Sequence, residues 1–180
     1  MLQPMRSGAL HGIQLWFALP ADQEEYEPAC EQVPAASISE LDIEGTTARV
    51  IMGEAYGYTS PVKSYSPTVY LEYRLPMGAS IKLPQSYREL AAYVIAGNVR
   101  IDQRSFTDGI MAVLRPGTTL YLEAEAVSHV LIIGGDTVGE RHTWWNFVSS
   151  SAKRIERAKV DWKEDGTTKI TRCRKRPSGT

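Results

Sequence analysis

Short β-prone runs follow one another from Leu41 to Gly135, and they constrain the fold of this chain more than any other feature. Each run is rich in Val, Ile, Tyr or Leu and is cut by Gly, Pro, Asp or Ser. The runs are ARVIMGEA, TVYLEYRL, ASIKLP, AAYVIAGNVRID, GIMAVLRPG, TLYLEAEA and SHVLIIGG. Strand-sized segments separated by turn residues at spacings of about ten residues are typical of a β-sandwich or barrel. The sequence therefore predicts an all-β domain.

The segment before these runs has a different sequence pattern. In LHGIQLWFAL, apolar side chains alternate at Ile13, Leu15, Phe17 and Leu19, which predicts one extra strand from Leu10 to Leu19. The following residues are polar and acidic and are interrupted by three prolines, which is typical of a linker. We therefore assign residues 1–38 to an N-terminal strand and a linker.

The segment after these runs predicts one helix. AKRIERAKVDWKEDG places Ile155, Ala158 and Trp162 on one face, with a serine as N-cap and Gly166 as the stop. We assign this helix to residues 149–166. The basic segment 167–180 is expected to be a solvated, disordered tail, although its KITRCRKR string also fits a nuclear or nucleic-acid-binding patch.

Composition limits the classes of function. A formal net charge of −1 argues against a general nucleic-acid binder, and the chain has no apolar run long enough for a transmembrane helix. The N-terminus lacks the apolar core of a signal peptide. Cys30 and Cys173 are far apart, which suits free thiols in a reducing compartment better than a disulfide scaffold. We therefore expect a cytoplasmic protein.

A small all-β domain can be tested against the cupin motifs, in which glycines at hairpin turns bracket metal ligands that point into the barrel. The glycines of both motifs have counterparts at Gly78, Gly97, Gly109 and Gly117. The four ligand positions hold Pro84, Ser86, Leu90 and Leu120. None of these side chains binds iron, zinc or manganese appreciably, and Glu89, one residue away, would be a single carboxylate. The spacing predicts a cupin-like barrel at 39–148 without its own metal site.

Longer strings in the chain resemble the pirin family. They are LHGIQLWFALP, GEAYGYTSPVKSYSPTVYLEYRLPMGAS and LIIGGDTVGERHTWWNFVSSSAKRIERAKVDW, and the resemblance extends from about Leu10 to Asp165. It implies the C-terminal half of a bicupin, in which two jelly-roll barrels face each other and a helix follows. It also implies that the family's iron lies in the N-terminal barrel, held by histidines and a glutamate, so that only the end of that barrel has a counterpart in residues 1–38. Some members oxidise flavonols with dioxygen, and animal members act as nuclear transcription co-regulators.

Two groups of residues are candidates for the mouth of a pocket. The first coincides with the cupin ligand region, and the second lies in RHTWWNFVSSS, whose Trp144, Trp145 and Phe147 are expected to pack the helix onto the barrel. The candidates are Tyr87, Arg88, Glu89, Arg141, His142 and Trp144. His129 lies in an apolar run and is expected to be a satisfied barrel histidine rather than a ligand. No residue is assigned a catalytic or metal-binding role.

The leading hypothesis is a non-catalytic binding, regulatory or structural module derived from a bicupin, with no cofactor of its own. The alternative is a quercetinase-type dioxygenase, which needs iron at a site that the motifs do not supply. The face that would meet a first barrel should not stay exposed, so we expect self-association through it, either by mimicry of the bicupin or by strand exchange. A protein partner is also possible, whereas a membrane or nucleic acid is disfavoured.

Overall fold

The computed structural model describes residues 12–165, which contain fourteen β-strands and one α-helix. Two short 3₁₀ turns, Ala21–Gln23 and Ala35–Ser37, precede the first strand. The strands are β1 Glu40–Ile43, β2 Thr46–Met52, β3 Glu54–Ala55, β4 Tyr58–Thr59, β5 Thr68–Leu75, β6 Ser80–Lys82, β7 Glu89–Ala96, β8 Asn98–Ile101, β9 Arg104–Thr107, β10 Met111–Val113, β11 Tyr121–Ala124, β12 Ser128–Gly135, β13 His142–Trp144 and β14 Phe147–Ser149. The helix α1 is Ala152–Asp165.

Most of the strands form two antiparallel sheets. The larger sheet has the order β1-β2-β5-β12-β7-β10, and the smaller has the order β6-β11-β8-β9. Strand β12 lies at the centre of the larger sheet, where Ile132 is opposite Leu71 on β5 and Ala92 on β7. Neighbours in the sheet are often distant in the chain, as expected for a jelly roll. The predicted all-β cupin fold with one C-terminal helix is confirmed.

The core lies between the two sheets and follows the alternation of the strands. On β5, Val69, Leu71, Tyr73 and Leu75 are buried, and they belong to the same cluster as Ile81 of the smaller sheet. Tyr73 is fully buried, and its hydroxyl lies 2.7 Å from that of Tyr56. The Tyr56 hydroxyl donates in turn to the carbonyl of Lys82 at 2.8 Å. Burial raises the pKa of both Tyr73 and Tyr56, so both hydroxyls stay neutral. The buried Tyr73 oxygen therefore has the hydrogen-bond partner that a polar atom in the core needs.

The four glycines of the cupin motifs lie at turns between strands. Their φ angles are 82° at Gly78, 96° at Gly97, 78° at Gly109 and 73° at Gly117. At Gly97, between β7 and β8, a Cβ atom would lie 2.5 Å from the Val127 carbonyl oxygen and 2.8 Å from the Ser128 Cα. Here both the backbone conformation and the close approach of a second chain segment require glycine.

Replacing Gly97 with alanine is expected to lower the free energy of unfolding by about 2 kcal/mol, because strain and overlap with backbone atoms add together. Gly78→Ala is the matched control, since its φ is also positive but nothing lies within 4 Å of the added carbon. The control should cost about 1 kcal/mol from strain alone. Urea denaturation of both variants gives the comparison. Equal losses would show that the close approach at Gly97 contributes nothing.

The predicted N-terminal strand is not present in its described part. Residues 12–20 have no regular secondary structure, and the side chains of Ile13, Trp16 and Phe17 are exposed. Among the described strands, none pairs with this segment, and unpaired backbone groups cannot define a strand. The prediction of a strand from the alternation is therefore wrong for residues 12–19. A side chain holds the end of this segment instead, since Arg141 donates a hydrogen bond to the Leu19 carbonyl at 2.7 Å.

The C-terminal helix packs on the hairpin formed by β13 and β14. The Trp144 and Phe147 rings are stacked at 6.0 Å, and Phe147 meets the edge of Trp162 at 6.0 Å. Trp145 does not take part, because it occupies the hairpin turn with φ 53° and is 73% exposed. The helix begins at Ala152 rather than at 149, since Ser149 belongs to β14. The predicted stop at Gly166 and the tail 167–180 lie outside the described residues.

Two expectations about the environment of the chain have different outcomes. Within residues 12–165 no helix is both long and apolar enough to cross a membrane. The expectation of a free thiol at Cys30 is wrong, because this cysteine is disulfide-bonded. The free-thiol argument for a reducing compartment therefore fails at this residue, and the cytoplasmic location stays a prediction without that support.

Candidate functional site

A pocket opens at one end of the core, where the loops after β6 and β10 meet the start of β7. Its volume is about 170 Å³. The floor is formed by the leucines Leu83, Leu90, Leu114 and Leu120, of which Leu83 and Leu114 belong to the buried core. Backbone hydrogen bonds from Leu83 to Leu120 (3.0 Å) and from Leu114 to Leu90 (2.9 Å) fix these strand ends. The pocket is therefore a continuation of the core that reaches the surface.

The pocket lies where the cupin motifs place a metal. Pro84, Leu90 and Leu120, three of the four ligand positions, are among its lining residues. Gly117, a glycine of the second motif, and the neighbouring Pro116 line it as well. Ser86, the fourth position, does not line it. The glycine spacing thus located a real concave site, although the side chains at its ligand positions are mostly apolar.

The donor set of this pocket does not fit iron or another transition metal. Its lining includes no His, Cys, Asp or Glu, and iron, zinc and manganese need imidazole, thiolate or carboxylate ligands. Across residues 12–165, no group of three or more such side chains is placed to hold a metal. We therefore derive no reaction step through a metal at this site.

The rim of the pocket is polar and basic. Arg88 and Arg115 line it, and neither forms an ion pair with any residue in the described range 12–165. The Arg88 backbone amide donates to Asp136 Oδ1 at 3.1 Å, which anchors the loop while its guanidinium stays exposed. The Gln85 amide donates to the Thr119 hydroxyl at 2.5 Å across the rim.

Tyr87 forms one rigid wall of the pocket. Its hydroxyl donates to the Glu54 carbonyl at 2.8 Å and accepts the Glu54 amide at 2.9 Å. Both bonds join the loop before β7 to the small hairpin of β3 and β4. The hydroxyl is thereby occupied, so Tyr87 presents its ring rather than a free proton donor.

The six predicted mouth residues do not form one site. Tyr87 and Arg88 line the pocket, whereas Glu89 lines a separate groove beside Trp16 and Phe17. Arg141, His142 and Trp144 do not line this pocket. They belong to the segment that joins the barrel to the helix. The sequence reasoning also missed Arg115 as a rim residue. The second motif offered a signal, since its frame runs directly through Arg115 and Pro116.

The two described histidines have structural partners. His129 Nε2 lies 2.7 Å from Glu72 Oε1 on the outer face of the larger sheet. The same carboxylate is within ion-pair distance of Arg49 (3.4 Å) and Arg74 (3.0 Å). His142 lies in β13, opposite Ser149 of β14. The expectation that His129 is a satisfied barrel histidine is confirmed, while His11 lies outside the described residues.

A second polar cluster, which the sequence reasoning missed, joins the N-terminal segment to the helix. Glu24 accepts hydrogen bonds from the Ser150 amide (2.8 Å) and from the hydroxyls of Ser149 (2.9 Å) and Ser150 (3.0 Å). Its carboxylate also lies 3.1 Å from Arg141 Nε, and the two side chains are only 9% and 10% exposed. Burial raises the pKa of Glu24, but the hydrogen bonds from Ser149 and Ser150 and the charge of Arg141 outweigh it. The pKa of Glu24 therefore lies below its ordinary value.

The family comparison matches the architecture of this pocket-bearing barrel and its helix. The model of the pirin C-terminal cupin domain matches residues 70–168. The chain belongs to the pirin family. A pirin-like protein of Caulobacter vibrioides is 43% identical over 157 residues, which cover 87% of this chain and 54% of that protein. Rat pirin is 31% identical over 169 residues, 89% of this chain and 58% of that protein. The pirin-family chain thus spans a little over half the length of these relatives.

Solved structures support the same fold. The crystal structure of quercetin 2,3-dioxygenase from Acinetobacter baumannii superposes with a TM-score of 0.75 at 22% identity. The match covers 92% of this chain and 58% of the other. At this identity the similarity shows that the pirin-family chain shares the fold, and the activity in that protein's name stays with that protein.

Proposed function

We propose that this pirin-family chain is a binding or regulatory module without a metal site of its own. The observation that carries the proposal is the pocket at the cupin metal position, which has an apolar lining of leucines and prolines, no metal-binding side chain and an exposed, basic rim. A carbon-lined floor cannot hold a metal ion, but it can bind the apolar part of a small molecule. The barrel therefore keeps the concave site of a cupin and uses it for binding rather than for redox chemistry.

The alternative is a flavonol dioxygenase, and the similarity to the Acinetobacter quercetin 2,3-dioxygenase supports testing it. The purified 180-residue chain, incubated with ferrous iron, is mixed with quercetin, and dioxygen uptake is followed with an oxygen electrode. We expect uptake equal to that of iron and quercetin alone. Catalytic uptake that scales with protein concentration would favour the dioxygenase and contradict the proposal.

We propose a second copy of this chain as its partner. Strand β10 is the edge of the larger sheet among the described strands, and its Met111 and Val113 are exposed. Trp16 and Phe17 lie in the adjoining groove and are also exposed. An exposed edge strand offers unpaired backbone groups, and two antiparallel copies of one edge are related by a two-fold axis. This geometry makes the same surface complementary to itself, which favours a dimer over a heterologous partner.

A further inference from the structure

The floor of the pocket sets the size of what it can hold. Four leucines and two prolines provide an apolar surface, and the volume is about 170 Å³. An engineered apolar cavity of about 150 Å³ in another protein accommodates benzene. The pocket is thus large enough for one six-membered ring or a short branched chain, and too small to enclose a molecule of several fused or linked rings.

The positive charge of the rim determines which ligand charge the pocket favours. Most of the described arginines form ion pairs with carboxylates, as Arg49, Arg100 and Arg154 do. Arg88, Arg104 and Arg115 form none within the described range; Arg104 lies over the Phe106 ring, whereas Arg88 and Arg115 line this pocket. No Asp or Glu is among the lining residues, so nothing there neutralises the two guanidinium groups. A guanidinium binds a carboxylate with two parallel hydrogen bonds, which gives such a pair direction as well as charge.

The remaining polar groups do not compete for the ligand. The Tyr87 hydroxyl is occupied by Glu54, and the Thr118 hydroxyl donates to the Arg115 carbonyl at 2.9 Å. That bond holds the loop between β10 and β11, from which Arg115 extends. The Gln85 amide nitrogen donates to Thr119, so this side chain is also engaged. The charged side chains left to recognise a polar group are therefore the two arginines, Arg88 on the loop after β6 and Arg115 on the loop after β10.

We infer that the pocket binds a small amphipathic carboxylate, with one apolar ring on the leucine floor and the carboxylate on Arg88 and Arg115. This inference rests on the proposed function, since it assigns a ligand class to the same metal-free site. Neutral analogues should bind more weakly, because they cannot form the charge-assisted hydrogen bonds that a carboxylate forms with the two arginines. The pocket also selects against acetate-sized anions, which leave the floor in contact with water.

The test is a titration of the ¹⁵N-labelled 180-residue chain followed by NMR, with benzoate and cyclohexanecarboxylate as probes. Two controls separate these features: acetate has the carboxylate without the ring, and benzyl alcohol has the ring without the charge. We expect saturable shifts at the loops after β6 and β10 for both probes, and binding of both controls about tenfold weaker or more. Arg88→Gln and Arg115→Gln should each weaken benzoate binding about fivefold, since both arginines are exposed. Arg157→Gln, on the exposed face of the helix, should leave binding unchanged.

Three results would overturn the inference. They are acetate binding as tightly as benzoate, benzoate affinity unaffected by both arginine substitutions, and absence of saturable shifts at the pocket. Because the arginine variants change exposed side chains, an otherwise unchanged amide spectrum verifies their fold. If benzoate fails to bind and the protein takes up no iron, only the ligand class is wrong. If the protein holds stoichiometric iron, the proposed function itself fails, whatever benzoate does.

Discussion

The free energy of unfolding is expected to fall by about 3 kcal/mol when Glu24 is replaced by alanine. The carboxylate accepts hydrogen bonds from Ser149 and Ser150 and forms an ion pair with Arg141. It therefore links the segment before the barrel to the residues that precede the helix. Its removal leaves the buried Arg141 guanidinium without its carboxylate. A buried charge without its partner costs more than the pair itself contributed, which is why the effect is large.

The matched control is Glu25→Ala. Glu25 also pairs with an arginine, Arg154, at 2.7 Å, but its side chain is 74% exposed. An exposed pair contributes little, so the control should lose less than about 1 kcal/mol. Urea denaturation at neutral pH measures both variants. Equal losses would show that the Glu24 cluster acts as an ordinary surface pair.

The same substitution has a pH signature. The pKa of Glu24 lies below its ordinary value in the folded protein, so the folded state favours the ionised carboxylate. Its contribution is complete above the ordinary carboxyl range and is lost as the pH falls through the lowered value. The stability gap between the native protein and Glu24→Ala should therefore narrow at acid pH. A gap that stays constant from neutral to acid pH would contradict the ionic account.

Self-association should weaken on the order of 100-fold when Val113 is replaced by lysine. Val113 lies on the edge strand β10 and is 84% exposed, so the substitution does not disturb the core. In a two-fold pairing of this edge, the short strand β10 would bring the lysine of one copy close to the lysine of the other, and their like charges would repel. Lysine on an edge strand is also a common natural block against strand addition.

Val127→Lys is the control for this experiment, because Val127 is 76% exposed and lies outside the edge strand. Sedimentation velocity over a range of concentrations should show a dimer for the native protein and for this control. It should show a monomer for Val113→Lys. A native protein that stays monomeric at high concentration, or a Val113→Lys dimer of unchanged affinity, would contradict the proposed partner.

The features that sequence could predict are those set by local chemistry. Gly97 and the other motif glycines mark turns because only glycine suits their backbone, so their spacing identified the barrel and the position of its pocket. Alternation was less reliable, since Ile13 and Phe17 keep the pattern of a strand but none of the strands within residues 12–165 pairs with their segment. Trp145 shows the same limit, because ring size favours burial while the hairpin turn places it in solvent.

The residues that sequence could not predict depend on contacts between distant segments. Glu24 lies in an acidic, proline-rich stretch that is typical of a linker. It accepts a hydrogen bond from Ser149, which lies more than a hundred positions later in the chain. Nothing near Glu24 in the chain indicates that contact. Arg115 likewise becomes a rim residue only because the loop after β10 folds toward the loop after β6. Pairs of this kind are determined by the tertiary fold rather than by local pattern.

Whether this barrel binds a metal is measured by the iron content of the 180-residue chain after incubation with ferrous iron without oxygen and removal of the unbound metal. The proline, the serine and the two leucines at the cupin ligand positions predict far less than one iron per chain by elemental analysis. The value should stay the same after His142→Ala, because His142 belongs to the hairpin rather than to the pocket. One iron per chain would contradict the account of a cupin barrel that binds without a metal.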